Sequence, residues 1–260
     1  MAAQKIFLTK KNIMPFLSFF VVLCIWLYAA WRTGGTLVPY PAQVWKQAVK
    51  MYTEPVGSIT IWGHIGYSMS RVLTGYCCAV CLGVSLGLAR GWFPLVDSIV
   101  KPIFEILRPI PSLAWVPLAL LWLGTGQGPM VVICFVASFV IATLTSYTGM
   151  RYVDALLIDA ARSFGATRRQ QFFNVALPAC LPAIFTGLQQ GIGVSWMAVV
   201  AAELVGAREG VGYIIIYSMD LGRPDMTIVG MATIGTIGAL LATALRMLER
   251  KLCPWRRHLV

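Results

Sequence analysis

The sequence predicts an all-α transmembrane protein: a six-span helical bundle with both termini in the cytoplasm and a cytoplasmic helix-turn-helix loop. Three observations predict it. Hydrophobic residues make up 58% of the 260 and charged residues 12%, a balance outside soluble domains and inside membrane proteins. Apolar runs long enough to cross the roughly 30 Å hydrocarbon core recur along the chain. Lysine and arginine collect between alternate runs: the amino end, 90–108, 150–178 and the tail hold 15 of the 21. That is the positive-inside bias of a polytopic membrane protein. The net charge of +11 therefore reads as orientation and not as affinity for nucleic acid, because basic clusters alternate with apolar runs and build no basic face. Residues 1–260 read as one transmembrane domain.

Taken in order, Lys5, Lys10 and Lys11 precede an uncharged run over about 13–31. It is too long for a signal-peptide core and no small-x-small cleavage site comes after it, so it reads as a retained first span with its amino end inside. A polar excursion comes next, with Gly34, Gly35, Pro39 and Pro41, and 42–52 has the pattern of a short amphipathic helix. The next apolar segment is longer than one crossing. Its start, carrying His64, Ser68, Ser70 and Arg71, reads as lying at the outer interface, and 72–89 as the second span. Within it Gly83 and Gly87 form a small-xxx-small pattern that lets helices approach closely.

Residues 90–108 read as a cytoplasmic loop, and Pro109, Pro111 and Pro117 punctuate a third span over 109–123. Proline frees backbone groups that neighbours must satisfy, which places this helix inside a bundle. Residues 130–149 form the fourth span, 182–202 a fifth beginning at Pro182, 203–225 an outer loop with Gly206, Gly210 and Gly212, and 226–245 a sixth. Cys24, Cys77, Cys78, Cys81, Cys134 and Cys180 sit in or beside apolar runs and read as small packing residues. No metal site is expected: Cys77-Cys78-x-x-Cys81 has no histidine or acid nearby, and His64 and His258 are far apart in the topology.

The longest polar interruption in the second half, 150–178, has its own fold signals. Val153, Leu156, Leu157, Ala160, Ala161 and Phe164 recur at helical spacing. Gly165 stands where a helix C-cap needs positive φ. Thr167 and Gln170 make a capping box for a second helix, which Pro178 ends.

At this loop the sequence resembles the permease subunits of bacterial ATP-binding-cassette importers (type I). Their motif is Glu-Ala-Ala, three residues, Gly, nine residues, Ile-x-Leu-Pro. Here it reads Asp159-Ala160-Ala161, Gly165 and Val175-Ala176-Leu177-Pro178, with every spacing kept and with Asp for Glu and Val for Ile. The run from Arg108 to Gly124, Ala202-Glu203-Leu-Val-Gly206 with Gly210-Val-Gly212, and Pro254-Trp255 resemble the nitrate/taurine/alkanesulfonate branch, the taurine-type permeases most closely.

The resemblance implies a multi-pass transport subunit of the bacterial cytoplasmic (inner) membrane and no enzyme. It implies a second permease copy forming a homodimer, two ATPase subunits that bind ATP and Mg, and a periplasmic or extracellular solute-binding protein. It implies no cofactor in this chain, and indeed no phosphate-binding Gly-x-x-x-x-Gly-Lys-Ser/Thr loop occurs. It puts Asp159, Ala160, Ala161, Phe164, Gly165, Leu177 and Pro178 in the ATPase-coupling surface, with Arg162, Arg168 and Arg169 facing either acidic ATPase groups or headgroups and solvent. The branch favours a small anion, a sulfonate such as taurine or nitrate.

Four further residues carry two readings each. Arg71 either attracts an anion or snorkels or pairs within the bundle. Glu203 either belongs to an outer gate or is a solvated boundary residue. Ser195 and Trp196 either line the pathway or pack the core. Glu105 and Arg108 read as a local ion pair at the cytoplasmic edge. An ion-coupled secondary transporter is the alternative function; it calls for buried relay acids or inverted repeats, and the sequence offers neither.

Overall fold

The structure is a computed structural model that describes residues 2–252, with side chains at Met14 and over 16–251. Pro254, Trp255 and His258 lie outside the described residues. Helices account for every regular element among the described residues, apart from an isolated antiparallel bridge between Val56 and Ile59. In chain order they are α1 (Ala2–Arg32), α2 (Pro41–Thr53), α3 (Ile61–Trp92), α4 (Pro94–Leu107), a 3₁₀ turn (Ser112–Trp115), α5 (Val116–Leu123), α6 (Gln127–Arg151) and α7 (Ala155–Ser163). Then come α8 (Arg168–Gln170), a π-helical segment (Gln171–Ala176), α9 (Leu177–Gly206), α10 (Val211–Asp220) and α11 (Pro224–Leu252). Ile61–Trp92, Gln127–Arg151, Arg168–Gly206 and Pro224–Lys251 are each long and apolar enough to cross a membrane. A fifth crossing is counted if Pro94–Leu107 and Ser112–Leu123, bent by 81°, act as one span.

The chain divides into two compact units. One comprises the residues up to Ile61 together with Ile214–Ala232. There α2 occupies the stretch read as amphipathic; the Gln43 side chain accepts from the Tyr40 backbone N–H (2.9 Å) and Trp26 Nε1 donates to the Pro39 carbonyl (3.0 Å). Gln47 and Met51 are buried while Trp45 is 74% exposed, so the helix has one wet and one packed side. Arg223 donates to both Asp225 and Gln47, tying the start of α11 to α2.

The other unit comprises Trp62–Tyr213 and the chain from Thr233 on. A Cβ on Gly83 would stand 3.0 Å from that of Ala142, and one on Gly91 would meet Met150 at 2.6 Å. Gly75 faces Cys134 on the same side, so partners rise together and α3 runs parallel to α6. Their backbones touch because the glycines remove side chains from the seam. Gly149 abuts Ala183, and Ser138 donates to the Gly191 carbonyl (3.0 Å), so α9 runs antiparallel to α6. Val72, Ile133, Ile192, Val199 and Ala202 form the core between them.

Four boundaries differ from the sequence reading. The 61–71 stretch is not an interfacial segment; it is the first third of one continuous helix, because its polar side chains find partners inside the unit. The 90–108 region is a helix rather than a loop, and only α5 with its 3₁₀ turn is helical within the expected third span. The outer 203–225 loop contains α10. Pro178 does not end the second loop helix, and Pro182 lies inside α9. The Leu177 N–H bonds back to the Phe172 carbonyl, five residues away. This π turn lets the helix continue past Pro178, which has no N–H of its own to offer.

Candidate functional site

Two constellations in the second unit carry chemistry beyond packing. The first is the corner between α7 and α9. Asp154 caps α7 by accepting the Leu156 N–H (2.9 Å). At the other end Gly165 has φ +80°. Its N–H bonds the Arg162 carbonyl (2.9 Å) while the Ala166 N–H bonds the Ala161 carbonyl (3.0 Å), the paired bonds of a Schellman stop. Only a residue free of Cβ crowding takes that conformation cheaply. Thr167 then caps the next helix, with Gln170 returning its side chain to the Thr167 N–H (2.8 Å). Buried Gln171 donates to the Ala166 carbonyl (2.8 Å), fastening the corner to the π-helical segment. Phe172 meets Trp92 edge-on at 5.3 Å, and Met150, Ala176, Cys180 and Ile184 close a small core beneath.

This corner is rigid in backbone and uncovered in side chain. Phe164 is 91% exposed and Leu156 71% exposed, one α-helical face apart by eight residues. Ala160 lies exposed between them and Ala161 is half-buried. Asp159 pairs with Arg162 at 3.3 Å on the exposed surface; Arg168 and Arg169 are exposed, with Arg169 5.9 Å from the Phe173 ring. Leu177 and Pro178 are half-buried in the helix beyond.

The second constellation is a sealed charge cluster. His64, Ser68 and Arg71 lie on one face of α3, each fully or almost fully buried. Arg71 donates to Glu203 (2.7 Å), to the Glu209 carbonyl (2.7 Å) and through Nε to Gln127 (2.6 Å). The Glu203 carboxylate also accepts from Ser68 (2.8 Å) and from the Gly212 N–H (2.9 Å). Ser68 accepts the Val211 N–H (2.9 Å), and His64 Nδ1 accepts the Gly210 N–H (3.0 Å), which assigns its proton to Nε2. The His64 ring stacks on Tyr213 at 5.8 Å. Gly210, at φ +123°, presses its backbone against the Glu203 carboxylate where a Cβ has no room.

Glu203 is therefore not a solvated boundary residue, since it is 1% exposed, and Arg71 takes the paired reading. Ser195 donates to the Cys134 carbonyl (2.9 Å) and contacts Ser138, while Trp196 Nε1 donates to the Ile234 carbonyl (3.0 Å); both are buried. Sequence reading missed the cluster as a unit. Its signal was present in the spacing of His64, Ser68 and Arg71 over two turns, facing an acid followed by three glycines. Glu105 and Arg108 do pair, at 3.6 Å, with about half of each side chain exposed.

Comparison with known proteins agrees with the motif. Residues 79–257 match the family described as the binding-protein-dependent transport system inner membrane component. The taurine transport system permease protein TauC of Escherichia coli is 36% identical over 238 residues, covering 88% of this chain and 86% of that protein. The nitrate import permease protein NrtB of Synechocystis is 31% identical over 251 residues, 95% of this chain and 91% of its own. The putative aliphatic sulfonates transport permease protein SsuC of Bacillus subtilis is 30% identical over 238 residues, 91% and 85%. Among solved structures, an inward-facing conformation of the MetNI methionine ABC transporter superposes with a TM-score of 0.62 at 19% identity, over 72% of this chain and 93% of that one; the two share a fold. These relatives set aside the ion-coupled alternative: the chain belongs to the inner-membrane components of binding-protein-dependent transport systems and is a multi-pass ABC permease subunit.

Proposed function

We propose that this chain forms, with a second copy of itself, the membrane pathway of an importer for a small anion, a sulfonate such as taurine or nitrate. The observation that carries the reading is the corner at Gly165: an ordered backbone presenting Phe164 and Leu156 to the outside with nothing of their own chain over them. Exposed apolar side chains on a rigid scaffold are the anatomy of a docking surface. Its occupant is an ATP-binding-cassette ATPase, one per permease copy, which holds ATP and Mg. Asp159, Ala160, Ala161, Phe164 and Gly165 form the contact, with Leu177 and Pro178 leading into the span. Arg162, Arg168 and Arg169 meet acidic groups around it.

In this reading the chain has six spans and both ends are cytoplasmic. The parallel run of α3 and α6 supports it, because the chain must recross between them. ATP binding draws the two docked corners together and switches the pathway between outward and inward access, a rigid-body change of a two-state assembly. The Arg71–Glu203 cluster fixes the 206–212 turn against α3 on the outer side and serves any gate there by position, not by touching solute. Ser195 and Trp196 hold α9 against its neighbours. A solute-binding protein delivers the anion.

The test is reconstitution of the chain with its ATPase and binding protein in proteoliposomes. ATP-dependent uptake of taurine or nitrate is expected. A complex that hydrolyses ATP and imports neither overturns the substrate class.

A further inference from the structure

Three helices of the second unit cross at their midpoints. Tyr76, halfway along α3, donates to the Leu188 carbonyl (2.8 Å), and Ser138, halfway along α6, donates to the Gly191 carbonyl (3.0 Å). Residues 188–191 are themselves the middle of α9. All three helices are long and apolar enough to cross a membrane, so the level at which their midpoints meet is the middle of the hydrocarbon. Gln190 stands at that level. Along α9 it is about 20 Å of helix from Leu177 and about 24 Å from Gly206, more than half the thickness of the core either way.

Two sides of α9 are taken at this depth. Leu188, Gly191 and Ser195 bond α3 and α6, while Gln189 donates to Glu249 and Trp196 to the Ile234 carbonyl, both on α11. The remaining side carries Gln190, Gly193, Val194 and Met197, all exposed, and a Cβ on Gly193 would meet nothing within 4 Å. Among the described residues the Gln190 carboxamide has no partner. The exposed groups of α1 are of another kind: Phe16, Phe19, Phe20 and Ile25, at 60–78%, the large apolar side chains that hydrocarbon favours. A bare carboxamide at the centre of a bilayer is costly, because nothing there bonds it. The Gln190 face of α9 is therefore not a lipid face.

Building on the two-copy reading above, we propose that this face of α9 is where the second copy meets the first, with Gln190 against Gln190 across the two-fold axis at mid-depth. A two-fold interface sets each residue at the axis against its own copy, so a residue there must complement itself. A carboxamide does: it donates and accepts at once, and two of them bond reciprocally, as two arginines or two glutamates cannot. Gly193, one turn on, removes the side chain that would hold two helices apart, and small residues with a polar bond are what join helices in lipid. The pathway of a two-copy permease runs between the copies, so the Gln190 pair closes it at mid-depth and must part for solute to pass.

The experiment uses the reconstituted transporter. Gln190→Cys is compared with Leu73→Cys, an exposed apolar position near the same level on α3, with the unsubstituted chain giving the background of its own cysteines. ATP-dependent uptake by each variant before treatment shows that it has folded. A short bifunctional methanethiosulfonate is expected to join two Gln190→Cys chains at least about tenfold faster than two Leu73→Cys chains, because only cysteines held close can be bridged. The bridge is expected to stop uptake, and a reductant to restore it. A Gln190→Cys chain that stays single while a water-soluble anionic methanethiosulfonate labels it quickly has this face lining water, which overturns the proposal. One that neither reagent touches has it in lipid, which overturns it equally. Both outcomes leave uptake by the unsubstituted complex, and so the importer reading, intact. A purified complex holding a single copy of the chain overturns the proposal together with the two-copy reading.

Discussion

The two constellations treat the same problem in opposite ways. The Arg71 and Glu203 charges are both buried and bonded within the chain, through Ser68, Gln127 and the backbone of 209–212. Around Gly165 paired backbone bonds and a capping box hold the turn, yet the Phe164 side chain stands 91% exposed. A closed polar cluster makes a fixed point. An ordered corner with uncovered apolar groups makes a contact waiting for its other half. Damage to the first should appear as lost folding, and damage to the second as lost assembly.

The sharpest way to break the comparison is Glu203→Ala. It strands a buried guanidinium, which destabilises by about 3–5 kcal/mol, read as a lower temperature of aggregation in detergent. Replacing Arg71 and Glu203 together by leucine should recover only part, because Gln127 and the Gly212 N–H stay without their partners. Gly165→Leu comes next. Forcing a bulky residue into φ +80° opposes the corner by about 1–2 kcal/mol, so the ATPase should fail to co-purify while the spans melt as before. Thr167→Ala removes the cap and loosens the adjoining turn by about 1 kcal/mol, visible as faster amide exchange over 167–171. Asp159→Asn is the smallest: its pair with Arg162 leaves both side chains about two-thirds exposed, and the melting temperature should move by less than the equivalent of about 0.5 kcal/mol.

The corner was legible in the sequence because its signals are local. Positive φ at Gly165, the Thr167–Gln170 box and the helical spacing up to Phe164 all act within a few residues; the first two stand in the structure as read, and the helix runs from Ala155 to Ser163, with Val153 before its cap and Phe164 at its end. The buried cluster was not legible as a unit because the bonds from α3 to Glu203 and the 209–211 backbone join residues more than 130 positions apart; His64, Ser68 and Arg71 look interfacial until those partners arrive. Pro178 misled for a related reason. A proline normally ends a helix, but a single π turn upstream absorbs it, and nothing in the residue pattern announces that turn. Charge counting put 90–108 in a loop, since a stripe of charges along a helix has the same composition as a loop; the structure has α4 there.

The most direct test is purification of the tagged chain from its own membrane in mild detergent, beside a Phe164→Ala form. The wild-type chain should carry a stoichiometric ATP-hydrolysing subunit, and the variant should lose most of it, about 2 kcal/mol of contact, while remaining monodisperse. An ATPase retained equally by both forms, or absent from both, would contradict the assignment of the Gly165 corner as the surface through which this permease is driven.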